Sequence, residues 1–404
     1  MNSAIQFFFK RSIFQHTKMK YLLSIVIPTK NRSYYCLHAI KQILALDLQN
    51  IEICIQDNSD TDELRKEIGV LAANNIVYNY HGGILSFVDN FSEAVSLANG
   101  EYLCMIGDDD GVLPCICDLV DDLQKQGADA AIPEPNFVYF WPSNQKIIEG
   151  GDNGTLLLHL QNEFKKADGV VVNHNKALKQ LLNNGVQNYT SLDMPRLYHG
   201  VVRRSVLDRI KETTGHYFGG LTPDMYMAVA LCFVCTKVLR VRYSVTISGI
   251  CPTSGSSDSA TGKHTGELKD APHFRGHNDY TWDSLVPQFY SVDTIWADTL
   301  LHTIREFNRI DLLNKFNSKY FDGICIKKYP QYNNTSLQHA LTLGYTVNSI
   351  KWSLAMGYVR MLIERISRKI RFVTKKGIGR TTLREFNVAN IEVAKDRVSS
   401  ITYC

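Results

Sequence analysis

The chain has 404 residues, 45% of them hydrophobic and 21% charged, with a formal net charge of +4. This composition excludes a disordered chain, a fibrous repeat and a strongly basic nucleic-acid binder, and the length allows one large domain with an appendage or two ordinary ones. No run of about 20 apolar residues suggests a membrane span, and the ten cysteines carry one CxxC pair, Cys232 and Cys235, without a second pair to complete a zinc site.

The cysteines are therefore read as reduced thiols of a cytoplasmic protein. Residues 1–19 place a short FFF beside Lys10 and Arg11, without the longer apolar core and cleavage site of a secretory signal, and are read as an extension. From Tyr21 the pattern becomes regular. YLLSIVIP predicts a strand, TKNRSYY a turn, and CLHAIKQILAL a helix by its apolar spacing. IEICIQD follows as a second strand, and TDELRKEIGVLAA opens with the Asp, Ser and Thr caps and first-turn acids of a helix. NIVYNY, SFVDNFSEAVSLA and EYLCMIG continue as strand, helix and strand, the last stopping at Asp108-Asp109-Asp110. LPCICDLVDDLQKQG and ADAAIP add a helix and a strand. This βα alternation predicts a mostly parallel sheet whose ligands sit at the carboxyl ends of its strands.

Regularity fades over 136–192 and returns at RLYHGVVRRSVLDRI, TPDMYMAVALCFVC and KVLRVRYSVTISGI. Residues 251–280 form a polar stretch, poor in apolar side chains, of a length that is functional or mobile in compact enzymes. It is expected to be mobile until a ligand orders it into a lid. The remainder reads mainly as helices. Three regions are expected: an extension over 1–19, a catalytic domain over 20–290 and a helical C-terminal region over 291–404.

Three adjacent carboxylates at the end of an apolar strand repel one another and are costly to bury unless a cation neutralises them. A hard divalent ion, Mn²⁺ or Mg²⁺, held by one or two carboxylates and by substrate phosphates meets that need, and a solvated acidic turn is the plain alternative. PTKNRS stands where a dinucleotide-binding dehydrogenase would carry GxGxxG after the first strand, which excludes that class.

LSIVIPTKNR at 23–32, IQDNSDTD at 55–62 and GEYLCMIGDDDGVLP at 100–114, taken in order and spacing, resemble glycosyltransferase family 2. That resemblance implies a Rossmann-like nucleotide-diphospho-sugar transferase fold of the A-type, here with a helical C-terminal extension. It implies a metal-dependent, inverting transfer of a sugar from a nucleotide-diphospho-sugar, a UDP-sugar, to a hydroxyl acceptor. Pro28, Thr29, Asn31 and Arg32 would border base and ribose, Asp57 would face the base, and Asn90 would support the nucleotide. Asp108 and Asp109 would contact nucleotide and sugar, with Asp110 on the metal. Asp224, in TPDMYMAVAL, matches the family's catalytic base, although Pro223 stands where that pattern often has Glu; a helix-capping Asp is the structural alternative. Within 251–280, His264 would complete the metal shell and Lys263 would meet the diphosphate. YHGVVRR at 198–204 matches only loosely, its arginines reading as surface residues of a helix start.

The tail carries ten Lys or Arg over 351–384 against a single acid, Glu364, interleaved with apolar residues. Peripheral association with an anionic membrane is one reading and packing of its apolar stripe on the catalytic domain the other. The acceptor class expected is a glycan or lipid-linked glycan of bacterial surface-polysaccharide assembly. A non-catalytic protein that binds nucleotide-sugar or glycan on the same fold is the competing function.

Overall fold

A computed structural model of the protein describes residues 21–134, 136–143, 154–161, 169–254, 264–276, 280–374 and 380–401. The first half runs β1 (Tyr21–Thr29), α1 (Ser33–Leu44), β2 (Ile51–Asp57), α2 (Glu63–Leu71), β3 (Ile76–Tyr80), α3 (Phe87–Leu97), β4 (Gly100–Met105), β5 (Gly111–Val112), α4 (Ile116–Gln126), β6 (Ala130–Ile132), β7 (Phe137–Phe140), β8 (Thr155–Gln161), β9 (Val170–Val171) and α5 (His174–Asn183). There follow β10 (Val201–Arg203), α6 (Arg204–Thr214), α7 (Pro223–Val234), β11 (Val238–Arg240), β12 (Thr246–Ile250), β13 (Thr265–Gly266), β14 (Tyr290–Ser291), α8 (Val292–Glu306), α9 (Ser318–Lys328), α10 (Asn333–Thr342), α11 (Val347–Thr374), β15 (Arg380–Glu385) and α12 (Ile391–Ile401).

The central sheet has the order β3-β2-β1-β4-β10-β6-β11-β9. β1 pairs in parallel with β2 and β4, and β2 with β3, while β10 inserts antiparallel between β4 and β6. Alternate residues of β1 feed two cores, because side chains alternate across a strand and helices cover both faces. Leu23, Ile25 and Ile27 pack on one face with Cys36, Ile40 and Ile43 of α1. Val26, with Leu103 and Met105 of β4, packs on the other with Val88, Ala94 and Val95 of α3. The α/β class and the mostly parallel central sheet are thus borne out.

A second sheet, β15-β8-β7-β12-β5, stands beside the carboxyl ends of β1 and β4. Its β8 and β7 arise from the irregular 136–192 stretch, and its edge strand β15 comes from the far C-terminus, paired antiparallel with β8. α12 then returns to the N-terminal half. Ile391, Ala394 and Val398 are buried in the same core as Ile40 and Ile43 of α1, and a Cβ on Gly111 would lie 2.8 Å from Ile391 Cγ1. α8 and α9 bury Ala297, Leu300 and Phe321 against Met225 and Val229 of α7. The helices after residue 290 thus share a core with α7.

The thiol expectation also needs one correction. Among the described residues eight cysteines are free, seven of them buried, whereas Cys115 is disulfide-bonded.

Because Ile391 fills space beside Gly111, Ile391→Ala leaves a cavity in the main core and should cost about 2–4 kcal/mol. Urea unfolding of the full chain measures this. Unchanged stability would mean that α12 rests on the core without belonging to it.

Candidate active site

The site begins where β1 and β4 end side by side. Thr29, the last residue of β1, donates its hydroxyl to Asp108 Oδ2 at 2.5 Å, and Arg32, just before α1, brings its Nη2 to 3.0 Å from Asp108 Oδ1. Asp108 is fully buried. That burial pushes its carboxyl up to about 7, against the pull of Arg32 and with the added repulsion of Asp109. Burial acts against the charge on Arg32 as well, but Asp108 and Asp109 outweigh it and hold the guanidinium firmly protonated.

Asp109 is raised too, first by burial and then by the charge of Asp110. Its Oδ2 accepts the Cys251 N–H at 2.9 Å, and its main-chain carbonyl accepts the Trp141 indole N–H at 2.8 Å. Gly249 allows this approach, since a Cβ there would lie 1.7 Å from the Asp109 carbonyl oxygen.

Asp110 lies in a different environment. Its Oδ1 accepts the Gly249 N–H at 2.6 Å, and its Oδ2 accepts the Gly107 N–H at 2.6 Å and the Tyr198 hydroxyl at 3.0 Å. His199 Nε2 stands 3.3 Å from the same oxygen. Burial alone would raise this carboxyl, but His199 and the two backbone N–H groups overcome it and hold it below the usual range. Both oxygens of Asp110 thus accept hydrogen bonds that fix the turn.

Beside the triplet a pocket of about 170 Å³ is lined by four of the expected residues, Pro28, Thr29, Arg32 and Asn90. Asn90 donates weakly to the Thr29 carbonyl at 3.4 Å, and its Oδ1 is buried without a partner, as an acceptor awaiting a ligand donor would be. Lys30 and Arg275 add two cations to the lining. Lys30 is held to Asn58 Oδ1 and its carbonyl, both at 2.9 Å, and its ammonium is lowered by burial and then by the nearby Arg275.

Arg275 belongs to the 251–280 stretch, as does His273, whose ring stacks on Phe87 with centroids 4.9 Å apart. Within the described residues of that stretch, Pro272 and Arg275 line the pocket. His264 faces His273 and Tyr290 at centroid distances of 6.1 and 5.9 Å. No group of three or more His, Cys, Asp or Glu among the described residues is arranged to hold a metal ion. Lys263 lies outside the described residues.

Asp57 is buried at the end of β2, accepting the Ser59 N–H and the Tyr78 hydroxyl, each at 2.8 Å. Asn31 is in the left-handed region at φ 56° and exchanges hydrogen bonds with Asp60, its amide reaching the Asp60 carboxylate at 2.9 Å; it shapes the turn and does not line the pocket. Asp224 sits in the first turn of α7, half-buried, and its carboxyl is raised by burial against the Met225 backbone N–H. No hydrogen bond or ion pair among the described residues joins it to the triplet. Arg203 and Arg204 are structural, reaching Glu101 and Asp208. Lys30, Arg275 and His199 are the residues that sequence reasoning missed; a lone Lys, Arg or His in a polar loop carries no spacing that distinguishes it.

The mostly parallel sheet thus carries a buried acidic triplet and a cation-lined pocket at its carboxyl edge, the edge at which open α/β sheets bind ligands. Residues 24–148 match the family described as Glycosyl transferase family 2, the family that the motifs resemble. The abequosyltransferase RfbV of Salmonella typhimurium is 38% identical over 96 residues, which are 22% of this chain and 29% of that protein. The putative colanic acid biosynthesis glycosyl transferase WcaA of Escherichia coli is 34% identical over 95 residues, 23% of this chain and 34% of that protein. The chain thus spans about a third of the length of these curated relatives. Among solved structures, S. aureus TarS 1–349 in complex with UDP-GlcNAc is similar at a TM-score of 0.42 and 11% identity, over 94% of this chain and 92% of that one. The mannosyltransferase PcManGT from Pyrobaculum calidifontis, in complex with GDP-Man and Mn²⁺, reaches a TM-score of 0.36 at 13% identity over 84% and 86%. Likenesses this remote decide neither donor nor acceptor.

The Arg32–Asp108 pair makes a pH-dependent prediction. With its folded pKa raised to about 7, Asp108 holds a proton in the folded state that the unfolded chain releases near pH 4, so its contribution to stability falls as pH rises from about 4 to about 7. Arg32→Met should cost about 3 kcal/mol at pH 8, where Asp108 without its partner must either stay an unpaired buried anion or take up a proton, and markedly less at pH 5. Thermal unfolding at the two pH values measures this; an equal loss at both would show that Arg32 acts by packing alone.

Proposed function

We propose that the chain is a glycosyltransferase that moves a sugar from a nucleotide-diphospho-sugar, a UDP-sugar, to a hydroxyl of a glycan or lipid-linked glycan acceptor, in the cytoplasm and in bacterial surface-polysaccharide assembly. One observation carries the reading: the family-matched segment holds both walls of the pocket, with the end of β1 tied to the acidic triplet through Thr29, Arg32 and Asp108. Pro28, Thr29 and Asn90 border the nucleoside, with Asp57 bracing β2 behind them. Lys30, Arg32 and Arg275 match a diphosphate in charge.

A divalent cation fits the donor set in part. Asp109, less encumbered than Asp110 and raised by burial and repulsion, would hold Mn²⁺ or Mg²⁺ together with the diphosphate oxygens, with Asp108 beside it. When bound, such an ion neutralises the charge that grows on the departing nucleotide. Asp224 takes the proton of the acceptor hydroxyl as its oxygen bonds to the anomeric carbon. The bond from that carbon to the phosphate oxygen breaks on the opposite face, inverting the centre and releasing the nucleoside diphosphate. The raised affinity of Asp224 for a proton suits that role.

Protons compete with a cation for Asp108 and Asp109. Mn²⁺ with UDP should therefore raise the melting temperature more at pH 8 than at pH 5.5, and Asp109→Asn should lose most of that increment. A full increment in the variant would remove Asp109 from the metal site.

Asp224→Asn should keep UDP affinity while nucleotide release from a panel of UDP- and GDP-sugars falls about 10²-fold or more. Loss of fold and UDP affinity together would make Asp224 a helix cap. If UDP binds the unaltered protein yet no donor with any acceptor yields turnover, the non-catalytic binding reading replaces this one.

A further inference from the structure

Helix α11 has two faces with opposite fates. Ile350, Leu354 and Gly357 pack toward α9: a Cβ on Gly323 would lie 2.7 Å from Leu354 Cγ, and one on Gly357 would lie 2.0 Å from the Tyr320 ring. Turned away from that contact is a stripe of Trp352, Met356, Val359, Ile363 and Ile366, spaced 4, 3, 4 and 3 residues apart and 43% to 69% exposed. That spacing keeps all five on one side of a helix. Ile363 also lines a groove of about 780 Å³ with Val170 and Val171 of the edge strand β9, both exposed, so the apolar surface continues beyond the helix. An ordered apolar patch of this extent on a water-facing surface marks a contact with something.

We propose that this face of α11 lies on an anionic lipid bilayer. Residues 347–376 contain eight Lys or Arg and one acid, Glu364, the charge balance of a helix seated among acidic headgroups. A second copy of the chain is the competing occupant, since 4-and-3 spacing also suits a coiled coil. The positions flanking such a seam would be Ser353, Arg360, Ser367 and Thr374 on one side and Ala355, Leu362 and Lys369 on the other. They offer cations and no acid, so two copies would repel where a coiled coil needs complementary charges. No helix among the described residues is long and apolar enough to cross a membrane, which leaves contact in the plane of the surface. The inference rests on α11 and stands independently of the proposed reaction.

The test is co-sedimentation of the full chain with phosphatidylcholine vesicles, with and without phosphatidylglycerol. The expected result is binding only with phosphatidylglycerol, weakened by salt, and about tenfold weaker for Val359→Glu with Ile363→Glu. A second variant, Lys351→Ser with Lys369→Ser, leaves the apolar stripe intact and should also weaken binding, which keeps the idea testable if the first variant folds poorly. Equal binding by all variants, or equal binding to neutral vesicles, overturns the proposal. So does a dimer seen in analytical ultracentrifugation that Val359→Glu with Ile363→Glu dissociates, which would assign the stripe to a second copy.

Discussion

The rest of the site depends on how three neighbouring carboxylates are kept underground. Asp108, Asp109 and Asp110 are all buried at the end of one strand, where an unpaired charge costs several kcal/mol. The fold meets that cost by separating them. Asp108 turns toward β1 and meets Arg32 and Thr29. Asp110 turns the other way into two backbone N–H groups, Tyr198 and His199. Asp109, between them, has the Cys251 N–H and the repulsion of Asp110. The residue with the least compensation is the one where an added cation gains most.

The same turn joins the two sheets. Asp110 hangs from β4 and binds the N–H of Gly249 in β12, while the Asp109 carbonyl binds Trp141, just past β7. Gly249 has to be glycine because the main chains approach so closely there. The acidic motif therefore does two things at once: one carboxylate sets the geometry of the sheet junction, and its neighbours face the pocket. Tyr198 and His199 extend this support, since β10, which follows them, is the strand inserted between β4 and β6.

Much of this was legible in the sequence. β1 to β4 and their helices announce themselves through period-2 and period-3.6 apolar patterns, and the triplet stands out because acids seldom follow an apolar strand in a row. The second sheet was not legible, because β8 and β15 are more than 200 residues apart and pair only through tertiary contact. The division of roles within the triplet is not legible in the same way, because sequence shows the carboxylates but not the donors that Gly107 and Gly249 bring to Asp110 from their backbones. Lys30 and Arg275 were missed for a similar reason: the pocket joins residues that are remote in sequence and unremarkable alone.

The C-terminal segment is tied into the rest of the fold at several points. The basic stretch after residue 350 reads as an appendage, yet its neighbours on both sides are anchored: α9 holds Leu354 and Gly357 of α11, while β15 enters the second sheet and α12 enters the main core. Ile391 of α12 touches Gly111, the residue after the acidic triplet. A helix anchored in this way cannot turn its apolar stripe inward without unpicking both anchors, so the stripe stays outward even though burial would favour hiding it. Its exposure is thus imposed by the packing of the helix's other face on α9.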